Sequence, residues 1–234
     1  MLRVDLHTHT ADDPWDRIPH STADLIRRAA ARGFDAVAVT LHDRQLDLAP
    51  FGALARELGI VLIPGIERTI ERRHVLLINF PVEAVEVDSF AGLAEMRARH
   101  PRGLVIAPHP FYPLTNCLGG LIDREASLFD AVEYNGCYTS WLNFNRRAER
   151  WAEARGKPLV GCSDTHRLEV FGMTYSLVDA DRSPDDICAA VKAGRLRVCT
   201  SPLSSLALTS YLASMTLAGH HPSPVRAGGI EATP

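Results

Sequence analysis

The sequence predicts an α/β domain whose largely parallel sheet closes into a barrel, and three observations lead there. Short apolar runs alternate with helical patterns almost from end to end. The runs are dense in Val, Ile, Leu and Ala and lack polar alternation, as strands buried on both faces should be. Residues of catalytic type follow nearly every run instead of gathering at one switch point, which suits a barrel mouth better than an open sheet.

The apolar runs lie at residues 2–6, 36–40, 60–64, 75–80, 104–107, 131–134 and 159–161. Helices are expected between them. Ser21-Thr22 can cap one that ends near Arg32, where Gly33 stops it. Residues 51–58 form a second, stopped by Gly59, and residues 89–99 a third. Residues 141–155 form a fourth, closed by Gly156 and Pro158, with Trp141, Phe144 and Trp151 at helical spacing and therefore expected in the core. Ser183-Pro184-Asp185-Asp186 opens a late helix with a cap, a first-turn proline and acids on the dipole; Gly194 ends it. The run beginning at His74 follows Glu67 too closely to enclose a helix, so these two runs are expected to pair as a hairpin. Residues 1–202 then form one domain, and residues 203–234 a last helix (204–217) and a loose Pro-, Gly- and Ala-rich tail that carries His220 and His221.

Composition narrows the function classes. Of 234 residues 46% are hydrophobic, enough for a sizeable core. A formal net charge of −3 argues against a protein that coats long nucleic acid or an anionic membrane. Five cysteines without a C-x-x-C pair read as reduced thiols rather than a disulfide framework. No signal-peptide pattern and no bilayer-length apolar stretch is visible, so a cytoplasmic location without membrane contact is expected.

The ends of the apolar runs carry the chemistry. In Val4-Asp5-Leu6-His7-Thr8-His9-Thr10 the two histidines lie two apart and project to one side of an extended chain. Leu41-His42-Asp43 follows the second run, Gly65-Ile66-Glu67 the third, Pro108-His109-Pro110 the fifth and Cys162-Ser163-Asp164-Thr165-His166 the last, while His74 opens the fourth. A shared mouth would gather His7, His9, His42, Glu67, His74, His109, Asp164 and His166. A catalytic zinc uses about three protein ligands, so this set exceeds what one ion needs. Two or three divalent ions are expected, with Glu67 placed to bridge two of them. Imidazole and carboxylate without thiolate suit Zn, Mn or Fe. A buried polar network without metal would be costly unless its charges were compensated.

These motifs carry a resemblance. Asp5-Leu6-His7-Thr8-His9-Thr10, Ala38-Val39-Thr40-Leu41-His42-Asp43, Pro64-Gly65-Ile66-Glu67, Ala107-Pro108-His109-Pro110 and Ser163-Asp164-Thr165-His166 resemble, in order, the motifs of the PHP (polymerase and histidinol phosphatase) family over roughly residues 1–200. The resemblance implies a distorted (β/α)7 TIM-like barrel, a trinuclear or binuclear metal site and phosphoesterase activity. It implies His7, His9, Glu67 and Asp164 around one metal, Glu67, His74 and His109 around a second, and His42 and His166 with one further residue around a third. For that further residue Asp12, Asp13 and His20 compete; Asp13 leads and His20 follows. Many members have Asp where this chain has Leu41, and Asp43 is the candidate to support His42 instead.

Glu133, in Val132-Glu133-Tyr134-Asn135-Gly136, is expected to support ligands rather than bind metal, and Asn135 to touch substrate. Arg44, Arg68 and Arg167 each follow a metal motif closely, and arginine forks match phosphate oxygens. The expected function is hydrolysis of a small phosphate monoester, histidinol-phosphatase-like or nucleotide-phosphatase-like, by metal-activated hydroxide, with Asp164 orienting or deprotonating the water and His166 beside it. A second reading is phosphodiester cleavage at nucleic-acid ends or in cyclic nucleotides, since residues 111–130 are too few for a lid domain. A third is a non-catalytic PHP assembly module, which would have no need of intact ligands.

Overall fold

Nine strands form one sheet in the order β7-β6-β5-β4-β3-β2-β1-β8-β9 in the computed structural model, which describes residues 1–218. The strands are β1 (Leu2–Asp5), β2 (Ala36–Val39), β3 (Val61–Ile70), β4 (Arg73–Ile78), β5 (Leu104–Ala107), β6 (Ala131–Asn135), β7 (Leu159–Cys162), β8 (Thr174–Val178) and β9 (Leu196–Thr200). The helices are α1 (Thr22–Ala31), α2 (Gly52–Glu57), α3 (Phe90–Arg99), α4 (Leu121–Arg124), α5 (Asn145–Arg155), α6 (Pro184–Lys192) and α7 (Ser205–Ala218). Ser21 and Ser183 cap α1 and α6 through their side chains, as their positions predict, and Ser89, expected as the first residue of the third helix, caps α3 in the same way. The tail with His220 and His221 lies outside the described residues. Among the described residues no helix is long and apolar enough to cross a membrane.

The sheet is a nearly closed, distorted TIM-like barrel. β1, β2 and β3 run parallel, as do β5, β6 and β7. The expected hairpin is present: β4 is antiparallel to both β3 and β5, with His74 opposite Thr69. Two strands were not expected. β8 runs antiparallel to β1 and β9 antiparallel to β8. The seam lies between β7 and β8, where side chain replaces ladder: Gly161 N donates to Ser176 Oγ (2.9 Å) and Ser176 Oγ donates back to Gly161 O (3.2 Å). Glycine is required there, because a Cβ at residue 161 would sit 2.7 Å from Tyr175 O.

Inward residues of the strands, among them Ala36, Ala38, Ile63, Leu76, Ile106 and Val160, pack with Ile187, Cys188, Ala190 and Val191 of α6. α6 touches β3, β5 and β8, no two of which are neighbours in the sheet, and so fills the barrel end away from the mouth. Its first turn is tied down where Asn79 Nδ2 and Arg102 Nη1 donate to Asp185 (2.7 and 2.8 Å). The outer faces of the strands pack on α1 and α2 in one layer and on α3 and α5 in another. α5 starts at Asn145 rather than residue 141, which corrects the reading of Trp141 as core: it is 70% exposed and its Nε1 donates to Ser205 Oγ. Trp151 is buried as expected.

Candidate metal centre

At the mouth the regular strands give way to single bridges that aim side chains inward. β1 ends at Asp5, and Thr8 rejoins the sheet through an isolated bridge to Thr165, so His7 and His9 flank an extended residue and face the same space. A second bridge pairs His42 with Glu67. Because β4 runs backward, its first residues lie at the mouth, and this brings His74 to Glu67. His109 and Asp164 take positive φ (28° and 52°) where the chain turns away from β5 and β7. Backbone strain of this kind, about 1–3 kcal/mol per residue, persists only where surroundings fix it. Here His109 N donates to Glu133 Oε2 (2.6 Å) and Asp164 N donates to His7 O (3.0 Å).

Glu67, 1% exposed, is the hub. Its Oε2 lies 3.2 Å from the Nε2 atoms of His7, His9 and His42. Its Oε1 lies 2.6 Å from His74 Nδ1 and 3.0 Å from His109 Nε2. His7 Nε2 and His9 Nε2 are 3.1 Å apart, and Asp164 Oδ1 lies 3.3 and 3.5 Å from them. His9, His42 and His166 form a further group. Asp16 Oδ2 stands 3.1 Å from His166 Nε2 and 4.0 Å from His42 Nδ1.

The outer nitrogens of these rings have their own partners. Glu133 Oε1 is 2.7 Å from His7 Nδ1. Asp13 Oδ2 is 3.0 Å from the Nδ1 atoms of both His9 and His42. A carboxylate behind Nδ1 fixes the tautomer and leaves Nε2 as the donor, so the lone pairs of His7, His9 and His42 converge on Glu67. Imidazole and carboxylate donors closing on one space suit divalent cations of the Zn, Mn or Fe type.

Electrostatics bear the marks of that crowding. Burial alone would raise the pKa of Glu67 and Asp164, but the imidazoles around them outweigh it and hold both well below the usual carboxylate range. Burial opposes ionisation of Asp13 too, and hydrogen bonds from His42 and His9 overcome it. Burial would lower His7 and His9, yet the surrounding acids hold both well above the ordinary imidazole value. His42 stays below that value, burial and the charge on His9 outweighing the pull of Glu67. Beneath the site Asp5 accepts from His7 N and Ser163 N, and burial pushes it up to about 7.

The structure therefore brings His7, His9, His42, Glu67, His74, His109, Asp164 and His166 to one mouth. Asp13 is there as well, behind two imidazoles, while Asp12 bonds to Thr22 Oγ1 (2.9 Å) and His20 Nε2 bonds to His9 O (2.9 Å). Asp43 does not support His42. It accepts from Thr69 N (2.7 Å) and pairs with Arg68, and Asp13 takes the supporting place. The substrate candidates divide. The Arg68 guanidinium is buried and spent on Asp43 and Val87 O, away from the mouth's centre. Arg44 is exposed, with one N–H on Asp12 O (3.1 Å), and Arg167 is half-buried. Asn135 Nδ2 donates to Glu133 Oε2 and Asp164 Oδ2 (3.1 and 3.0 Å), which fixes two acids rather than leaving the amide open. Sequence reasoning missed Asp16, Asn116, Cys117 and Tyr211. Asp16 shares a segment with Asp12 and Asp13, and nothing in residue type separates the three. Tyr211 comes from α7, and its OH donates to Asp164 O (3.0 Å); no motif announces it.

Residues 143–196 match the model of a PHP-associated family, PHP_C, and they include the Asp164–His166 motif of a barrel whose other motifs occur in PHP order. Over that segment the chain is similar to the PHP-associated family. Among solved structures the chain is similar to a two-domain protein containing a predicted PHP-like metal-dependent phosphoesterase from Bacteroides vulgatus, at TM-score 0.66 and 20% identity, over 92% of this chain and 69% of that one. It is similar to PsfC from Pseudomonas syringae at TM-score 0.61 and 17% identity, over 93% and 98%. Endonuclease Q from Pyrococcus furiosus, a lesion-specific endonuclease, superposes at TM-score 0.57 and 15% identity, over 90% and 66%. At these identities the likenesses establish the shared fold. No curated protein matches this chain in sequence.

Proposed function

We propose that this chain is a PHP-type metal-dependent phosphoesterase and that its substrate is a small phosphate monoester. The observation that carries the reading is Glu67, whose two oxygens each face a different set of imidazoles, the arrangement a bridging carboxylate needs. His7, His9, Glu67 and Asp164 would hold one divalent ion; Glu67, His74 and His109 a second; His42 and His166 a third, with Asp16 the carboxylate that faces His166. Such ions activate water near neutral pH and neutralise phosphoryl oxygens. Asp164 keeps part of its side chain open at the mouth (18% exposed), is held ionised, and would take the proton of the attacking water. His166 Nδ1, 3.6 Å from Asp164 Oδ1, steadies that carboxylate. Arg44 is the arginine best placed to reach a phosphate from the rim, with Arg167 beside the last motif.

A second reading, hydrolysis of a phosphodiester at a nucleic-acid end, is supported by likeness to Endonuclease Q and by residues 111–130, whose only α-helix is the four-residue α4. The net charge of −3 weighs against long nucleic acid. A panel of phosphate monoesters, diesters and cyclic nucleotides, assayed after reconstitution with Zn, Mn or Fe, decides between them. The highest kcat/KM is expected on a monoester; a diester turned over faster than every monoester overturns that choice, and inactivity across the panel overturns the phosphoesterase reading.

A further inference from the structure

We propose that the Glu67–His74–His109 group holds its ion most weakly in the centre, and that the adjacent pair Asn116 and Cys117 sets that affinity. The inference rests on the reading of these residues as metal ligands.

The imidazoles differ in what stands behind them. His7 has the Glu133 carboxylate at 2.7 Å, and His9 and His42 have the Asp13 carboxylate at 3.0 Å. An anion that accepts the outer N–H strengthens the inner nitrogen as a ligand. His109 Nδ1 instead meets Cys117 Sγ at 3.3 Å, and a thiol is a weak acceptor. His74 turns Nδ1 to Glu67, and its Nε2 lies 3.2 Å from Asn116 Nδ2. Whichever way that amide is turned it brings no negative charge. Neither ring of this group has a carboxylate behind it.

The ligand charge points the same way. The first group has two acids, Glu67 and Asp164, and the third has Asp16 facing it. The second has Glu67 alone, and that charge is shared with His7, His9 and His42. Nor is the pair there by accident of a loose loop. Arg73 Nη1 donates to Thr115 O and to Cys117 O (3.0 Å), and His74 N donates to Asn116 O (2.8 Å), so the segment is clamped to β4. Cys117 Sγ donates toward Asn116 Oδ1 (3.9 Å), which links the two side chains.

The test uses the whole protein loaded with Zn²⁺, and separately with Co²⁺ as a spectroscopic probe. Samples are equilibrated against increasing chelator, bound metal is counted by elemental analysis, and Co²⁺ absorption is followed in parallel. One ion should leave in a distinct, earlier step. Cys117→Ala should move that step to about tenfold weaker binding or beyond and leave the later steps in place. Cys117→Asp should move it tighter, and Cys117→Ser should stay within a few-fold of the parent. Metal-free melting curves identify any variant that fails to fold, and if Cys117→Asp is one, Cys117→Ala and Asn116→Ala decide. Loss of all ions in one step, or a Cys117→Ala that moves every step equally or none, overturns the proposal. A parent protein that binds no ion at all overturns instead the assignment of these side chains as ligands.

Discussion

Five imidazoles face the two oxygens of Glu67, and no other carboxylate in the described residues is shared so widely. Glu67→Gln keeps the shape and removes the charge that the first and second groups share. Metal content and turnover should therefore fall together, the affinity by at least about 10–100-fold; elemental analysis showing full occupancy would remove Glu67 from the bridging role. The arginines separate at the same scale. Arg68→Met breaks a buried pair with Asp43 and a bond to Val87 O, so it should lower stability by roughly 1.5–3 kcal/mol in urea unfolding. Arg44→Met touches little of the fold and should instead reduce kcat/KM on monoesters by about tenfold or more, with unfolding unchanged. Parental kcat/KM for Arg44→Met would exclude Arg44 as a phosphate contact.

Among the elements, the seam between β7 and β8 decides whether the sheet is a barrel. It is held by Ser176 Oγ on the Gly161 backbone in place of a strand ladder. Gly161→Ala would press a Cβ to 2.7 Å from Tyr175 O and force the strands apart. Overpacking of this kind costs about 1–3 kcal/mol. A lowered urea midpoint is expected, together with weaker metal binding, because Asp164 and His166 follow directly after β7. An unchanged midpoint would show that the seam can widen freely. α7 matters for a similar reason: it closes back over the mouth and sets Tyr211 OH on Asp164 O.

For the molecule as a whole, the mouth couples metal, protons and stability. In the metal-free fold His7, His9 and His109 are held above their ordinary value of 6.5, so their ion pairs stabilise fully below that pH and the contribution is lost as pH rises through the raised values. Glu67, Asp164 and Asp13 are held below their ordinary values, so their contribution is present above about pH 4.5 and is lost as pH falls through the lowered ones. The metal-free protein should be most stable between about pH 4.5 and 6.5. A cation must displace protons from those imidazoles, so affinity rises with pH. The rise in Tm produced by Zn²⁺ should then be larger at about pH 8 than at about pH 5.5. Melting curves with metal and with chelator measure it, and a gap that does not change with pH would mean that binding releases no protons.

The sequence by itself determined the strand–helix alternation, the helix caps at Ser21 and Ser183, the hairpin after Glu67 and the motif order that resembles the PHP family. These are local: a cap, a period or a motif is complete within a few residues. It did not reveal β8 and β9, because Thr174–Val178 and Leu196–Thr200 carry Thr, Ser, Tyr and Arg among their apolar residues and are strands only by pairing with β1 and with each other. It pointed to the residues that reach the mouth but not to what each does there. Asp13 stands behind two imidazoles and Asp16 faces His166, a division among neighbouring aspartates that depends on where His42 and His166 arrive from strands far along the chain. Arg68 beside Glu67 read as a phosphate fork, and the fold spends it on Asp43 and Val87 O, since alternate residues of a strand point to opposite faces. Cys117, Asn116 and Tyr211 acquire their places from a loop clamped by Arg73 and from a helix folded back over the mouth. Ligand chemistry is a property of residue type and so is written in the sequence; support and orientation are contacts between distant segments, which exist only once the barrel has closed.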